Sequence, residues 1–391
     1  MTTYPPLNDA TEGLRIKWYR TPIEKDELHK LLKRSDLRGW LQVLGVFGYC
    51  IVTAALTTYF FYQQMWVFFV IGLFAYGTYA CFIGSGCHEL THRTVFKTKW
   101  LNEFFLRLTG LINMFNHEEY LMSHTYHHRY TLHPDADREV VLPQSPVMRF
   151  AWFVQLFTVN LYSQAPGSDG MYQRLKNTFR TAFGKLPDMD AEGDPIDSDY
   201  MIWLGLLYQA HPEERMKAVR FARYILIFHA GVLVVTVISQ FWLLPVFITM
   251  SRSLANWLKA PTVFLQHAGL RDSVADFRKS TRTVKLDPVT SFMYWHMNFH
   301  VEHHMYQWVP CYNLPRLHKV IKHDLPVAKG VWAGFQEVRE TWKRQQTEPG
   351  YQFDTPIPTS SDPVQQTEAS NQFATRIATS SDPVPIRAMS K

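Results

Sequence analysis

The stretch that decides the fold is GWLQVLGVFGYCIVTAALTTYFFYQQMWVFFVIGLFAYGTYACFIGSGCH, at positions 39–88, which contains no Asp, Glu, Lys or Arg. A second charge-free stretch covers residues 224–251. A helix needs about 20 apolar residues to cross a bilayer. The first stretch is therefore long enough for two crossings, joined by a turn at Tyr62-Gln63-Gln64. The sequence predicts a multi-pass membrane protein.

The composition agrees with a membrane protein. Charged residues make up 19% of the chain and aromatic residues 15%, whereas soluble domains contain about a quarter charged residues. The four cysteines are too few and too scattered for a disulfide scaffold. They are Cys50, Cys81, Cys87 and Cys311.

Apolar length and basic residues together predict the topology. We expect an all-α fold with about four transmembrane helices, arranged as two hairpins, and a cytoplasmic helical cap. The N-terminal segment 1–38 is rich in Lys and Arg, which is typical of a cytoplasmic segment rather than of nucleic-acid binding. Residues 39–347 form the membrane domain. Its predicted spans are 40–62, 65–87, 222–240 and 241–260.

The C-terminal segment 348–391 differs from the rest of the chain. QFDTPIPTSSDPV at 352–364 recurs as QFATRIATSSDPV at 372–384, a tandem repeat with a period of 20 residues. Ser, Thr, Pro and Asp dominate it, so it cannot bury much apolar surface. We predict a disordered tail.

Eight of the 17 histidines fall into three tight clusters. They are HELTH at 88–92, HTYHH at 124–128 and HVEHH at 300–304. Spacings of three and four residues put the imidazoles of each cluster on one face of a helix. Neutral imidazole is the commonest metal ligand, and ionisable residues near a membrane usually serve a function. The predicted topology also places all three clusters on the cytoplasmic side.

Three other kinds of site that use histidine fit these clusters less well. HELTH matches the short zinc-protease motif HExxH, but such a protease leaves six clustered histidines unexplained. A haem held by two histidines does not require adjacent His-His pairs, and a metal transporter places its ligands at mid-membrane. Eight imidazoles exceed the four ligands of one zinc ion and suffice for two metal ions.

The three clusters resemble the histidine boxes of membrane fatty-acid desaturases and their hydroxylase relatives. LQHAG at 265–269 is also similar to the family, and the resemblance makes His267 a ninth ligand. It implies a non-haem diiron centre held by nitrogen. The implied metal ligands are His88, His92, His124, His127, His128, His267, His300, His303 and His304. Candidate carboxylates that orient these imidazoles are Glu89, Glu302, Asp135 and Asp137.

The resemblance also implies the reaction. Such a centre activates O2 with two electrons from a separate donor protein, of the cytochrome b5 or ferredoxin type, and that donor's reductase. We expect desaturation of a fatty acyl chain in the bilayer. Hydroxylation of a lipid or lipophilic metabolite remains open, because no motif separates the two, and the membrane zinc protease is a remote alternative. The protein would lie in the endoplasmic reticulum of a eukaryote or the inner membrane of a bacterium.

Overall fold

The computed structural model describes residues 6–140, 144, 149–164, 170–185 and 198–358. These residues are mostly helical, which confirms the prediction of a helical protein. The exception is a pair of short parallel strands, in which β1 (Val284–Lys285) lies beside β2 (Lys329–Gly330).

The α-helices follow one another along the whole described chain. Short 3-10 turns at Cys311–Asn313 and Lys322–Asp324 flank the helix that follows the third cluster. In chain order the helices are α1 Leu7–Thr11, α2 Lys25–Leu31, α3 Asp36–Tyr62, α4 Trp66–Ala80, α5 Ile83–Thr91, α6 Lys99–Ile112, α7 His117–Tyr130, α8 Ala151–Phe157, α9 Met171–Ala182, α10 Ser198–Ala210, α11 Pro212–Ser239, α12 Leu244–Phe247, α13 Lys259–Leu265, α14 Phe277–Ser280, α15 Pro288–Met293, α16 His300–Met305, α17 Leu314–Ile321 and α18 Val331–Thr347.

Three helical segments of the described chain are long and apolar enough to cross a membrane. They are α3, the continuous run Trp66–Thr91 formed by α4 and α5, and α11. Their outward faces carry exposed large apolar side chains, among them Ile51 on α3, Ile71 on α4 and Ile238 on α11. Exposed apolar surface of this extent indicates contact with lipid.

The predicted fourth span at 241–260 is not one long helix. It contains α12 followed by a series of turns up to Leu258. Backbone groups in these turns bond to an extended segment instead of to a helix: Asn160 N donates to Ser253 O and Ala255 N donates to Thr158 O. The described residues therefore contain three helices of spanning length, where the sequence predicted four.

A close contact between α5 and the segment before α16 positions the first and third histidine clusters. Gly86 lies on α5, and a Cβ atom there would come within 2.4 Å of the Trp295 ring. Trp295 is fully buried and has a positive φ of 56°. The missing side chain at Gly86 thus lets the first and third histidine clusters approach each other.

Segments near both ends of the described chain contact residues 270–324, which we call the cap. Near the N-terminus, Thr21 Oγ1 donates to Asp324 Oδ2 over 2.7 Å. The first residues of the predicted tail are also placed: Phe353 forms a β-bridge with Leu270, and Asp354 forms ion pairs with the cap. Residues 359–391, with the second copy of the repeat, lie outside the described residues.

Candidate metal centre

The first histidine cluster lies where the second membrane helix ends. His88 is in the last turn of α5, and His92 is the residue that caps this helix at its C-terminus. Both side chains are buried. Apolar neighbours on α5, such as Cys87 and Leu90, pack into the main hydrophobic core. This packing fixes the direction in which the two imidazoles point.

The second cluster lies on α7. Asn116 caps the start of this helix by accepting a hydrogen bond from Glu119 N, and Glu118 and Glu119 are acidic residues in its first turn. Both features stabilise a helix N-terminus. Within α7, His124, His127 and His128 fall on one face. His124 and His127 are buried, and His128 is partly buried.

The third cluster and His267 complete the set. His300, His303 and His304 are buried on the short helix α16. His267 lies two residues beyond α13 and is also buried. Its Nδ1 atom is held 2.9 Å from the carbonyl oxygen of Ser280, which turns Nε2 toward the third cluster.

All nine predicted imidazoles lie in two adjacent groups. In each group the candidate ligand atoms are no more than 4.8 Å from one another. The first group is His88, His92, His124, His128 and His303; the second is His127, His267, His300 and His304. The rings of His128 and His304, one from each group, are stacked with centroids 4.5 Å apart. The two groups are therefore direct neighbours.

The spacing of the Nε2 atoms fits metal coordination. His303 lies 3.1 Å from His128, and His267 lies 3.0 Å from His300, Nε2 to Nε2 in each case. Two nitrogens bound to one ion at about 2.1 Å are about 3.0–3.4 Å apart in octahedral or tetrahedral geometry. In addition, Nε2 of His88 is buried and has no hydrogen-bond partner within the described residues. The donor set thus suits one metal ion in each group.

Burial keeps most of these imidazoles neutral, which is the form that binds metal. It lowers the pKa of His92 and that of His267 to about 3. Burial and the neighbouring imidazoles also lower the pKa values of His124, His128 and His304.

His127 is the exception in the second group. Burial alone would lower its pKa, but the charge of Asp137, its hydrogen bond to His127 and the charge of Glu139 together outweigh burial, and the pKa is raised. Burial would likewise raise the pKa of Asp137, but His127 and backbone N–H groups hold it below its usual value. This carboxylate therefore stays charged and is available to hold the imidazole.

Two carboxylates hold imidazoles of the second cluster. Asp137 Oδ2 lies 2.9 Å from His127 Nδ1 and accepts from Leu132 N. Glu139 Oε1 lies 2.9 Å from His124 Nδ1, and Ser123 donates to its other oxygen. The sequence indicated Asp137 but missed Glu139. The only sequence feature that could have indicated Glu139 is its position two residues after Asp137, as a second carboxylate.

The other three predicted carboxylates differ in burial and in hydrogen-bond partners. Glu89 is fully buried, with Oε1 3.0 Å from His88 Nδ1. Glu302 is also fully buried, but it bonds to Thr283 and to His318 instead of to a clustered histidine. Asp135 is exposed, so it is wrongly placed for an orienting role.

Four histidines close to the clusters in sequence or space lie outside both groups. His117 contacts Glu118, and His318 contacts Glu302. His133 bonds to the carbonyl oxygen of Tyr130, and His296 bonds to the hydroxyl of Ser291. Proximity to a cluster therefore does not by itself place a histidine in one of the two groups.

The fold and the site together define a class: a helical protein with three segments that could cross a membrane and with two adjacent histidine groups, which include His88 and His92 at the end of one such segment. The fatty acid desaturase family matches residues 64–334, which is more than half of the chain and includes all nine histidines. The protein belongs to the fatty acid desaturase family. No curated protein matches the chain.

Proposed function

We propose that this protein is an O2-dependent oxidoreductase that desaturates a fatty acyl chain at a histidine-held pair of iron ions. The observation that carries the proposal is the meeting of nine imidazoles in two adjacent groups. Membership of the fatty acid desaturase family supports a lipid as the substrate. The exposed apolar helices around the centre support a substrate drawn from the bilayer.

The donor set supports two metal ions better than the zinc-protease alternative. A catalytic zinc site uses three protein ligands and leaves one position open for water. Here His88 and His92 lie with three further histidines in one group. Glu89, the residue that would act as the protease base, is instead bonded to His88. Nitrogen ligands are also suited to iron.

A pair of iron ions, when bound, supplies the chemistry that activates O2 and takes hydrogen from an unactivated C–H bond. In desaturation, two hydrogen atoms from the acyl chain and two electrons and two protons from outside reduce O2 to two water molecules. The electrons would come from a separate cytochrome b5 or ferredoxin type donor and its reductase. In hydroxylation, one oxygen atom of O2 enters the product instead.

The chain's own residues hold and orient this centre. Asp137, Glu139 and Glu89 each face the Nδ1 atom of a clustered histidine, which leaves the Nε2 atom for the metal. Such partners fix the tautomer and the ring orientation of a ligand. Burial of the groups excludes water, which limits side reactions of a strong oxidant.

The proposed topology places the N-terminus and the histidine groups on the cytoplasmic side, where soluble electron donors are found. Lys and Arg are frequent before α3, as expected for a cytoplasmic segment. The membrane would be the endoplasmic reticulum in a eukaryote or the inner membrane in a bacterium. Cysteine-accessibility labelling of introduced residues near each helix end tests this orientation.

Turnover under 18O2 tests the function. The full-length protein in lipid nanodiscs is supplied with iron, a donor and its reductase, and acyl lipid, and the products are analysed by mass spectrometry. A new double bond without label supports desaturation, and a labelled hydroxyl group shows hydroxylation. Peptide cleavage that is lost in Glu89→Gln, with no lipid product, would overturn the proposal in favour of the protease.

A further inference from the structure

Of the nine histidines in the two groups, His267 is the one that comes from outside the three sequence clusters. It lies in a turn two residues after the end of α13, and its Nδ1 atom lies 2.9 Å from the carbonyl oxygen of Ser280. A hydrogen bond of this kind fixes the tautomer of an imidazole, but it does not fix the backbone that carries the imidazole. The position of His267 therefore depends on what holds the turn at 266–269.

Arg282 holds this turn on both sides of His267. Its Nη1 atom donates to the carbonyl oxygen of Leu265 and to that of Ala268, the latter over 3.2 Å. Its backbone N–H group donates to the carbonyl oxygen of Gln266 over 2.7 Å. Carbonyl groups at the end of a helix lack partners within the helix, and the guanidinium group supplies partners at this end of α13.

Glu337 on α18 holds the guanidinium group of Arg282 in turn. Glu337 Oε1 accepts from Arg282 Nη2 over 2.6 Å and from Nε over 3.2 Å. The side chains of Arg282 and Glu337 are only 9% and 10% exposed, so salt and water screen this ion pair little. A planar guanidinium group has five N–H donors in a rigid fork. It can therefore bond to a carboxylate and to carbonyl groups at the same time.

Helix α18 also contacts the same turn through small and apolar residues. Gly269 has a positive φ of 68°, and a Cβ atom there would lie 3.6 Å from Cα of Val338. A Cβ atom on Gly334 would lie 3.1 Å from the Leu265 side chain. The turn that carries His267 thus packs against α18, and the buried ion pair joins the same two elements.

We propose that Glu337 is a positioning residue, which acts through Arg282 to hold His267 in place for the second metal ion. The inference rests on the proposed function in taking the second histidine group as a metal site. Glu337 lies beyond residues 64–334, the part of the chain that matches the family. Residues that orient a metal ligand from outside the ligand set typically alter metal affinity when they are replaced.

The test measures metal binding without turnover, on the full-length protein in detergent. Glu337→Gln keeps the size of the side chain but leaves the charge of Arg282 unpaired. We expect its affinity for the ion of the second group to fall roughly tenfold. Competition with a chelator gives the affinity, and Mössbauer spectra of protein loaded with 57Fe show which of the two ions is lost. The variant His267→Ala supplies the reference spectrum for loss of that ion.

Two further comparisons separate positioning from a general effect on stability. Glu340→Gln changes an exposed carboxylate on the same helix, which pairs with Lys343, and should bind both ions as the wild-type protein does. In the double variant His267→Ala/Glu337→Gln, the second substitution should cause no further loss of metal, because an effect that acts through His267 disappears with it. Equal losses with and without His267 would show that Glu337 acts on the whole fold, and would overturn the inference.

Affinities of Glu337→Gln equal to those of Glu340→Gln, or an equal fall at both histidine groups, would also contradict the inference. If Glu337→Gln does not fold, Arg282→Lys decides. It keeps a positive charge opposite Glu337, but one ammonium group cannot reach the carboxylate and both carbonyl groups. The second ion should therefore again be lost, and an Arg282→Lys protein that keeps both ions would overturn the inference.

The outcome is separable from the proposed function. Loss of the second ion in Glu337→Gln would stand even if no oxidised lipid were found under 18O2. Conversely, lipid desaturation by a wild-type protein whose two ions Glu337→Gln binds equally well would support the proposed function and overturn this inference. A wild-type protein that binds no metal would overturn both.

Discussion

The Nδ1 atom of His127 lies 2.9 Å from Oδ2 of Asp137, and both side chains are buried. The same carboxylate accepts from Leu132 N and from Glu139 N, so its position is fixed by the loop after α7. His127 in turn belongs to the second histidine group. The loop that follows the second cluster therefore orients an imidazole that is ten residues earlier in the chain.

Asp137→Asn should weaken metal binding at the second group. The amide cannot hold the His127 ring by the same charge-assisted contact, and loss of such a partner typically lowers metal affinity roughly 10- to 100-fold. Iron affinity is measured by competition with a chelator of known strength. Asp135→Asn is the matched control, since Asp135 is exposed and should be neutral. Equal affinities for all three proteins would contradict the orienting role of Asp137.

Glu139→Gln should weaken metal binding at the first group instead of the second. Glu139 holds His124, and Ser123 and Trp203 continue the same hydrogen-bond chain. The chelator concentration is chosen so that the wild-type protein stays fully loaded. Under this condition we expect Glu139→Gln to lose about one of two metal ions. The reason is that a carboxylate which orients a metal-binding imidazole mainly affects the ion bound by that imidazole. Loss of both ions together would show that the two groups act as a single cooperative site.

Gly86→Ala should destabilise the protein and impair metal loading. Its new methyl group would collide with the buried ring of Trp295, and overpacking of this kind costs about 1–3 kcal/mol. The measurement is the melting temperature in detergent, together with metal content. Gly48→Ala on α3 is the control, because no atom lies within 4 Å of that Cβ position. A Gly86→Ala protein as stable as this control would show that α5 can move away from Trp295 without cost.

Two truncations test the contacts of the C-terminal segment. Removal of residues 359–391 should leave the melting temperature unchanged, because Phe353 and Asp354 keep their contacts with the cap. Removal of residues 351–391 should lower it, since Asp354 pairs with Arg271 and Lys279. The loss should be small, as an exposed ion pair contributes about 0–1 kcal/mol. If both truncations behave as wild type, the docked segment adds no stability.

Local patterns predicted the helices and the histidine directions, because both depend on residues three or four apart. His124 and His128 share a face of α7 for this reason. The partners of the imidazoles depend on tertiary structure and were harder to predict. Glu139 approaches His124 across 15 residues and Ser280 approaches His267 across 13, and no periodicity connects such pairs.

The contrast between local patterns and tertiary contacts also explains why residues 241–260 are not one long helix, as the sequence had predicted. Apolar content suggested a span, but Ser253 and Ala255 bond to the backbone at 158–160, which a sequence window does not reveal. The C-terminal segment is a second example of tertiary contacts that composition does not reveal. Its average composition predicted disorder over 348–391, whereas Phe353 and Asp354 each find a partner on the cap. Composition describes a segment as a whole and misses single residues that dock.

The central claim is that the two histidine groups hold two iron ions, and metal analysis of the purified full-length protein tests it most directly. The measurement combines elemental analysis with Mössbauer spectroscopy of protein loaded with 57Fe. We predict two iron ions per chain in the wild-type protein and a clear loss of iron in His127→Ala, with the helical content unchanged. Full lipid oxidation by protein that contains no iron, or iron content that His127→Ala leaves intact, would contradict the account.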